Sequence, residues 1–160
     1  MLAGVLGLML MTSAADSSSS LIDAAAAGRA DEVTRLVAAG AALETQDSQG
    51  RSALLLAVAG NHVAVARTLL DAGASPNTQA ANRDTPWLLA GASGRAEIIT
   101  AMLSRKPDLT IRNRYGGNAL IPACERAHVE AVKLLLTSGF DVDHVNDLGW
   151  TCLLEIVILG

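Results

Sequence analysis

Residues 85–90 read Thr85-Pro86-Trp87-Leu88-Leu89-Ala90. Trp87 and Ala90 lie three positions apart, the spacing of one face of a helix. At an offset of 33 residues, Trp87 shares a column with Leu21, Leu54, Leu120 and Leu153, and Ala90 shares one with Ala24, Ala57, Ala123 and Ile156. Farther along, Leu36, Leu69, Met102 and Leu135 align, followed at once by Val37, Leu70, Leu103 and Leu136 and then by Gly40, Gly73, Lys106 and Gly139. These columns describe a second helix and its stop, because glycine tolerates the left-handed backbone that ends a helix. Lys106 departs from the column, and Pro107 after it still ends the helix. Gly50, Gly116 and Gly149 form a further column whose one exception is Arg83.

Each unit therefore reads as turn, short helix, tight loop, longer helix, turn. Small alanines on the first helix let neighbouring units approach closely. No unit can bury its apolar faces alone, whereas stacking makes one continuous core, so such units come in arrays. The 33-residue period and the Thr-Pro-Leu-His-x-Ala signature, matched best at residues 85–90, resemble the ankyrin repeat over residues 21–160. Gly73-Ala74-Ser75-Pro76-Asn77 and Gly139-Phe140-Asp141-Val142-Asp143 are similar to that family's segment after the second helix. The resemblance implies an all-α ankyrin-repeat solenoid with an incomplete first repeat at 21–46, full repeats at 47–79, 80–112 and 113–145, and a last one at 146–160.

Two departures from the family pattern stand out. The signature histidine is replaced by Ile22, Leu55, Leu88, Ile121 and Leu154, so apolar packing must substitute for its hydrogen bonds. The last unit ends at Gly160 after its first helix, which leaves Leu153, Leu154, Ile156 and Ile158 without a covering helix. Terminal repeats normally turn a polar face outward. The expectation is a longer protein, a monomer once that repeat is completed, or else an exposed and aggregation-prone end.

The first fifteen residues differ from the rest. Leu2 to Met11 is an uncharged apolar run, and Ser13 and Ala15 supply the small residues of a cleavage site before Asp16. This reads as a signal peptide that carries the chain to the periplasm or outside, although no Lys or Arg precedes the run; the alternative is an apolar tail on a cytoplasmic protein. Ser17 to Ser20 (within 16–20) are expected to form a flexible spacer. Cys124 and Cys152 are too few for a disulfide scaffold or a closed zinc site and are expected to pack as small apolar residues. A bridge between them requires a close Cα approach that spacing does not supply.

Catalysis finds little support. His62 and His128 share a column with Arg29 and Arg95 in the tight loop between helices, and a repeated position argues for a structural task. His144 falls in an inter-repeat turn. No phosphate loop, zincin helix or nucleophile elbow occurs, so neither a catalytic residue, a metal nor a cofactor is expected. The net charge is only −4 with 18% charged residues and four aromatic side chains, which offers no basic stripe for nucleic acid. Residues 81–133 do carry eight basic and five acidic side chains between more acidic flanks, an imbalance that could orient an acidic partner. The apolar stretches fall short of the roughly 20 residues of a membrane span.

What the resemblance implies is a protein-binding scaffold whose turn tips and exposed first-helix faces line a concave surface. On that face it places Ser48, Gln49, Arg51 and Gln79, then Asn82, Asp84, Ser93 and Arg112. Arg114, Tyr115, Glu125 and Arg126 follow, with Asp147, Leu148 and Trp150 at the end. Arg112, Arg114, Tyr115, Arg126 and Trp150 form the expected centre, since Arg, Tyr and Trp dominate binding energies at interfaces. Trp87, in the leucine column, is expected in the core. The alternatives are an inhibitor or immunity-type regulator of an exported enzyme, using the same face, and a non-catalytic part of a longer enzyme.

Overall fold

The computed structural model describes residues 14–159, with the side chains of 14–19, 156 and 159 outside the description. The helices are α1 (Ala14–Ala26), α2 (Ala30–Ala38), α3 (Ala53–Ala59), α4 (Val63–Asp71), α5 (Pro86–Ala92), α6 (Ala96–Leu103), α7 (Leu120–Glu125), α8 (Val129–Thr137) and α9 (Cys152–Leu159). They form two rows. First helices pack in the order α1, α3, α5, α7, α9, and second helices pack behind them as α2, α4, α6, α8.

The repeat columns become the core. Leu21, Leu54, Trp87 and Leu120 are each 1% exposed, and Ala24, Ala57, Ala90 and Ala123 are fully buried where adjacent first helices meet. The Trp87 ring stacks on Phe140 with centroids 6.0 Å apart. Leu55, Leu88 and Ile121, standing where the family signature has histidine, are buried as apolar packing requires.

Helix starts are fixed by a polar column that the pattern of apolar residues does not reveal. Ser52, Thr85 and Asn118 are buried and accept amide hydrogens from Leu55, Leu88 and Ile121 at 3.3, 3.1 and 3.2 Å, and Thr151 accepts from Leu154 at 3.1 Å. A side-chain oxygen at this position satisfies one of the amides that a helix leaves unbonded at its start.

The loops between the helices of a unit are stapled to the unit before. His62 Nε2 donates to the Ala26 carbonyl at 3.1 Å, Arg95 to Ala59 at 3.5 Å and Arg126 to Ala92 at 2.6 Å. These acceptors recur every 33 residues; His62 and Arg95 share the donor column and have a structural task there, whereas in the fourth unit Arg126 makes the staple in place of His128.

Two sequence expectations are revised. The backbone of α1 begins at Ala14 and runs through Ser17–Ser20, so that stretch is helical where a flexible spacer was expected. The leader lies outside the described residues except for its last two, which open α1. Cys124 and Cys152 do not pack as free thiols but form a disulfide, with Cα atoms 5.3 Å apart. Cys124 and Cys152 stand one period after Gly91 and Ala119, which also approach closely, and the bridge ties α9 to the last turn of α7.

Three columns take left-handed backbone in every unit, whichever residue occupies them. Gly50, Gly116 and Gly149 share this conformation with Arg83 (φ 68°), and Gly40, Gly73 and Gly139 share it with Lys106 (φ 49°). The third column, in the loop between helices, holds Gly28, Asn61, Gly94 and Ala127, the last at φ 53°. A left-handed alanine costs about 1–2 kcal/mol, partly offset in a glycine by about 0.5–1 kcal/mol of chain entropy. Ala127→Gly should therefore raise the thermal midpoint by about 2–4 °C, reflecting about 1 kcal/mol. Gly94→Ala should lower it, because a Cβ there would lie 2.6 Å from Cγ of His128. Differential scanning calorimetry of both variants checks the two signs.

Candidate docking groove

Each unit from the second onward opens with a tight finger of five residues: 47–51, 80–84, 113–117 and 146–150. The fingers close by backbone bonds from Asp47, Ala80, Asn113 and Asn146 to the carbonyls of Arg51, Asp84, Gly117 and Trp150, at 2.8 to 3.0 Å. Three of these first residues carry a short carboxylate or amide that bonds forward to the backbone. Asp47 Oδ1 accepts from Gln49 and Arg51, Asn113 Oδ1 from Tyr115 and Gly117, and Asn146 Oδ1 from Leu148 and Trp150. Ala80 cannot do this, and Asn82 substitutes by accepting from the Asp84 amide at 3.0 Å and donating to its carboxylate at 2.7 Å. Adjacent fingers are joined as well: Ala81 N–H donates to Gln49 O at 3.1 Å and Asp147 N–H to Tyr115 O at 2.9 Å. Such side-chain bonds to local backbone stabilise turns directly. The finger tips are thus ordered before any partner arrives.

Between the fingers and the first helices of the last three units lies a groove of about 690 Å³. Its floor is apolar, made by Leu88 and Leu89 of α5 and Ile121 and Pro122 of α7. The 113–117 finger contributes Arg114 and Tyr115, with the guanidinium 4.8 Å from the ring centroid, and the last unit contributes Leu148, Trp150, Glu155 and Ile158. Tyr115 is 45% exposed and Leu148 63% exposed, so both are open to contact.

The groove gathers Asp84, Arg114, Tyr115, Glu125, Arg126, Leu148 and Trp150 from the residues that the sequence placed on the concave face. Arg112 is not among them, because its guanidinium donates to the carbonyls of Leu109 and Ile111 in its own turn. Ser48, Gln49 and Arg51 lie on the 47–51 finger outside the groove, where Arg51 is held by Asp47 through a 2.7 Å ion pair, and Asn82 shares the finger of Asp84 without lining the groove. Burial works to raise the pKa of Asp47, yet the Arg51 guanidinium and the amides of Arg51 and Gln49 outweigh it and hold the carboxyl below its usual range. The sequence reading missed the floor, since Leu88, Leu89 and Ile121 are indistinguishable from core residues until the helices are placed. It also missed Glu155, which lies in the stretch read as an uncovered apolar helix.

Among the described residues, no helix is long and apolar enough to cross a membrane, and no group of three or more His, Cys, Asp or Glu side chains is placed to hold a metal ion.

A family model described as ankyrin repeats in three copies matches residues 6–80 and 87–159. The chain belongs to the ankyrin repeat family. The match begins earlier than residue 21, in keeping with an α1 that starts at Ala14. The crystal structure of the ankyrin repeat protein EF0377 is similar, with a TM-score of 0.85 and 42% identity over 89% of this chain and 73% of that one. An ankyrin repeat domain (ABAYE2397) from Acinetobacter baumannii AYE gives 0.83 and 42%, covering 88% of this chain and 71% of that one. YahD of Escherichia coli (strain K12), an ankyrin repeat protein by name, is 42% identical over 64 residues, or 39% of this chain. The matched stretch spans 32% of the length of YahD. Ankyrin repeats generally serve as protein–protein interaction modules.

Glu155 has its carboxyl pushed above the ordinary range, by burial first and by the negative charge of Glu125 second. A group that holds its proton more tightly folded than unfolded makes stability fall as pH climbs from the unfolded value through the folded one. Glu155→Gln should remove that fall. Thermal midpoints measured from mildly acidic to neutral pH should show the variant gaining on the wild type as pH rises, and a pH-independent offset would contradict the assignment.

Proposed function

We propose that this ankyrin stack docks a protein partner in the groove of its last three units, and that it does so outside the cytoplasm. The observation that carries the docking reading is a groove whose apolar floor, part-exposed at Leu89 and Pro122, lies beside finger tips already locked by hydrogen bonds. A partner segment that fills it meets surfaces that lose little entropy on binding, which favours affinity. Tyr115 and Trp150, on adjacent fingers, are the residue types that concentrate binding energy. The groove mixes Arg114 and Arg126 with Asp84, Glu125 and Glu155, so apolar fit rather than net charge supports the choice of site.

Two features support the location. The apolar run at Leu2–Met11 followed by small residues has the form of an export signal. The Cys124–Cys152 bridge is of a kind that persists in oxidising compartments such as the periplasm.

The reading is tested by affinity capture from separated periplasmic and cytoplasmic extracts, comparing wild type with an Arg114→Ala, Tyr115→Ala, Leu148→Ala variant. These side chains are exposed, so folding should be retained. One periplasmic partner should be lost from the triple variant, with affinity down by about tenfold or more, while Ser48→Ala, Gln49→Ala in the second finger leaves capture unchanged. Equal capture by all three proteins would put the binding surface elsewhere.

A further inference from the structure

The groove changes character from one unit to the next. A single column of the first helices supplies Leu56, Leu89, Pro122 and Glu155 at intervals of 33 residues, so an apolar row is followed by a carboxylate on α9. Glu125 of α7 lines the groove with Glu155, and its negative charge acts on that carboxyl. No cation of the described residues is paired with either one, since the ion pairs among those residues include neither Glu125 nor Glu155. The two arginines of the lining are engaged elsewhere. Arg126 donates to the Ala92 carbonyl on α5, which flanks α7 on the side away from α9, and Arg114 lies over the Tyr115 ring. The third carboxylate of the lining, Asp84, accepts from Asn82. Glu155 is half-buried, so water screens its repulsion from Glu125 less fully than on an open surface. The half-buried Trp150 lines the groove from the same unit.

We propose that the groove takes a partner segment that sets an apolar side chain over Leu89 and Pro122 and a lysine or arginine side chain between Glu125 and Glu155. This rests on the docking function proposed above and names the chemistry of what docks. An apolar floor by itself accepts any apolar side chain of suitable size. A neutral or acidic side chain beside the two carboxylates removes their water and returns nothing, whereas a cation replaces that water and relieves the repulsion. The aliphatic stem of a lysine or arginine extends the apolar contact beyond Pro122 while its charged head reaches the carboxylates. An indole such as that of Trp150 also attracts a cation to its face. Packed helices lie about 8–10 Å apart, which an extended segment spans in about three residues. The apolar and cationic side chains of the partner therefore fall about three positions apart.

The probe is a random dodecapeptide library displayed on phage and selected against the full chain. Selected peptides should carry Lys or Arg about three positions from a large apolar residue, and should lose binding to a Tyr115→Ala, Leu148→Ala variant of the groove. Such a peptide should bind Glu125→Gln, Glu155→Gln about tenfold more weakly than wild type. Asp23→Asn, Asp31→Asn makes the same change in net charge on exposed side chains of the first unit and should leave affinity unchanged. Replacing the peptide's cationic residue by Met should cost about tenfold against wild type and nothing against the Gln variant, a cycle that isolates the pairing from any effect on folding. Groove-dependent peptides that lack a cation, or a cation whose removal costs the same against both proteins, would overturn the proposal and leave the docking function standing. If no selected peptide depends on Tyr115 and Leu148, the docking function fails and the proposal with it.

Discussion

The structure depends on how closely one first helix can lie against the next. Ala24, Ala57, Ala90 and Ala123 are fully buried at that contact, and the backbone of α5 comes so near the next unit that a Cβ on Gly91 would sit 2.6 Å from the Ala119 carbonyl oxygen. Small side chains set the step between units, and the step sets the rest. It lets His62, Arg95 and Arg126 reach carbonyls of the unit before, and it brings finger backbones within bonding distance at Ala81 with Gln49 and at Asp147 with Tyr115. A larger residue in the alanine column would lengthen every one of these contacts together, which is why a solenoid tolerates surface change better than change along this seam.

The same step produces the groove. Fingers spaced by one helix diameter leave channels between their tips, and the first helices form the floor. In the last three units that floor is apolar, and Tyr115 and Trp150 also line the groove. In the second unit the finger spends its charges on itself, Asp47 pairing with Arg51. The site therefore arises from a difference between units within a uniform scaffold.

The fold was legible because a repeat writes each structural requirement several times. The leucine, alanine and glycine columns located the helices and their stops, and even their exceptions were informative: Arg83 and Lys106 keep the left-handed backbone of the glycines they replace. The groove was legible only at its rim. Arg114, Tyr115, Arg126 and Trp150 stood out by residue type and do line it, whereas Arg112, equal to them by type, is turned onto carbonyls of its own turn by hydrogen bonds that spacing cannot foretell. The Cys124–Cys152 bridge was missed for a related reason. It repeats a contact of the units before, since Cys124 and Cys152 stand one period after Gly91 and Ala119, whose close approach shows only once the helices are placed.

The central claim, that partner contact occurs on the concave side of the last units, is tested most directly by site-specific photo-crosslinking in cells. A photoreactive side chain would replace Tyr115 or Leu148 on the groove, and Thr100 or Lys133 on the outer helices, all four being exposed positions. The account predicts that one partner crosslinks from Tyr115 and Leu148 and not from Thr100 or Lys133. Crosslinks confined to the outer helices, or of equal yield from all four positions, would contradict it.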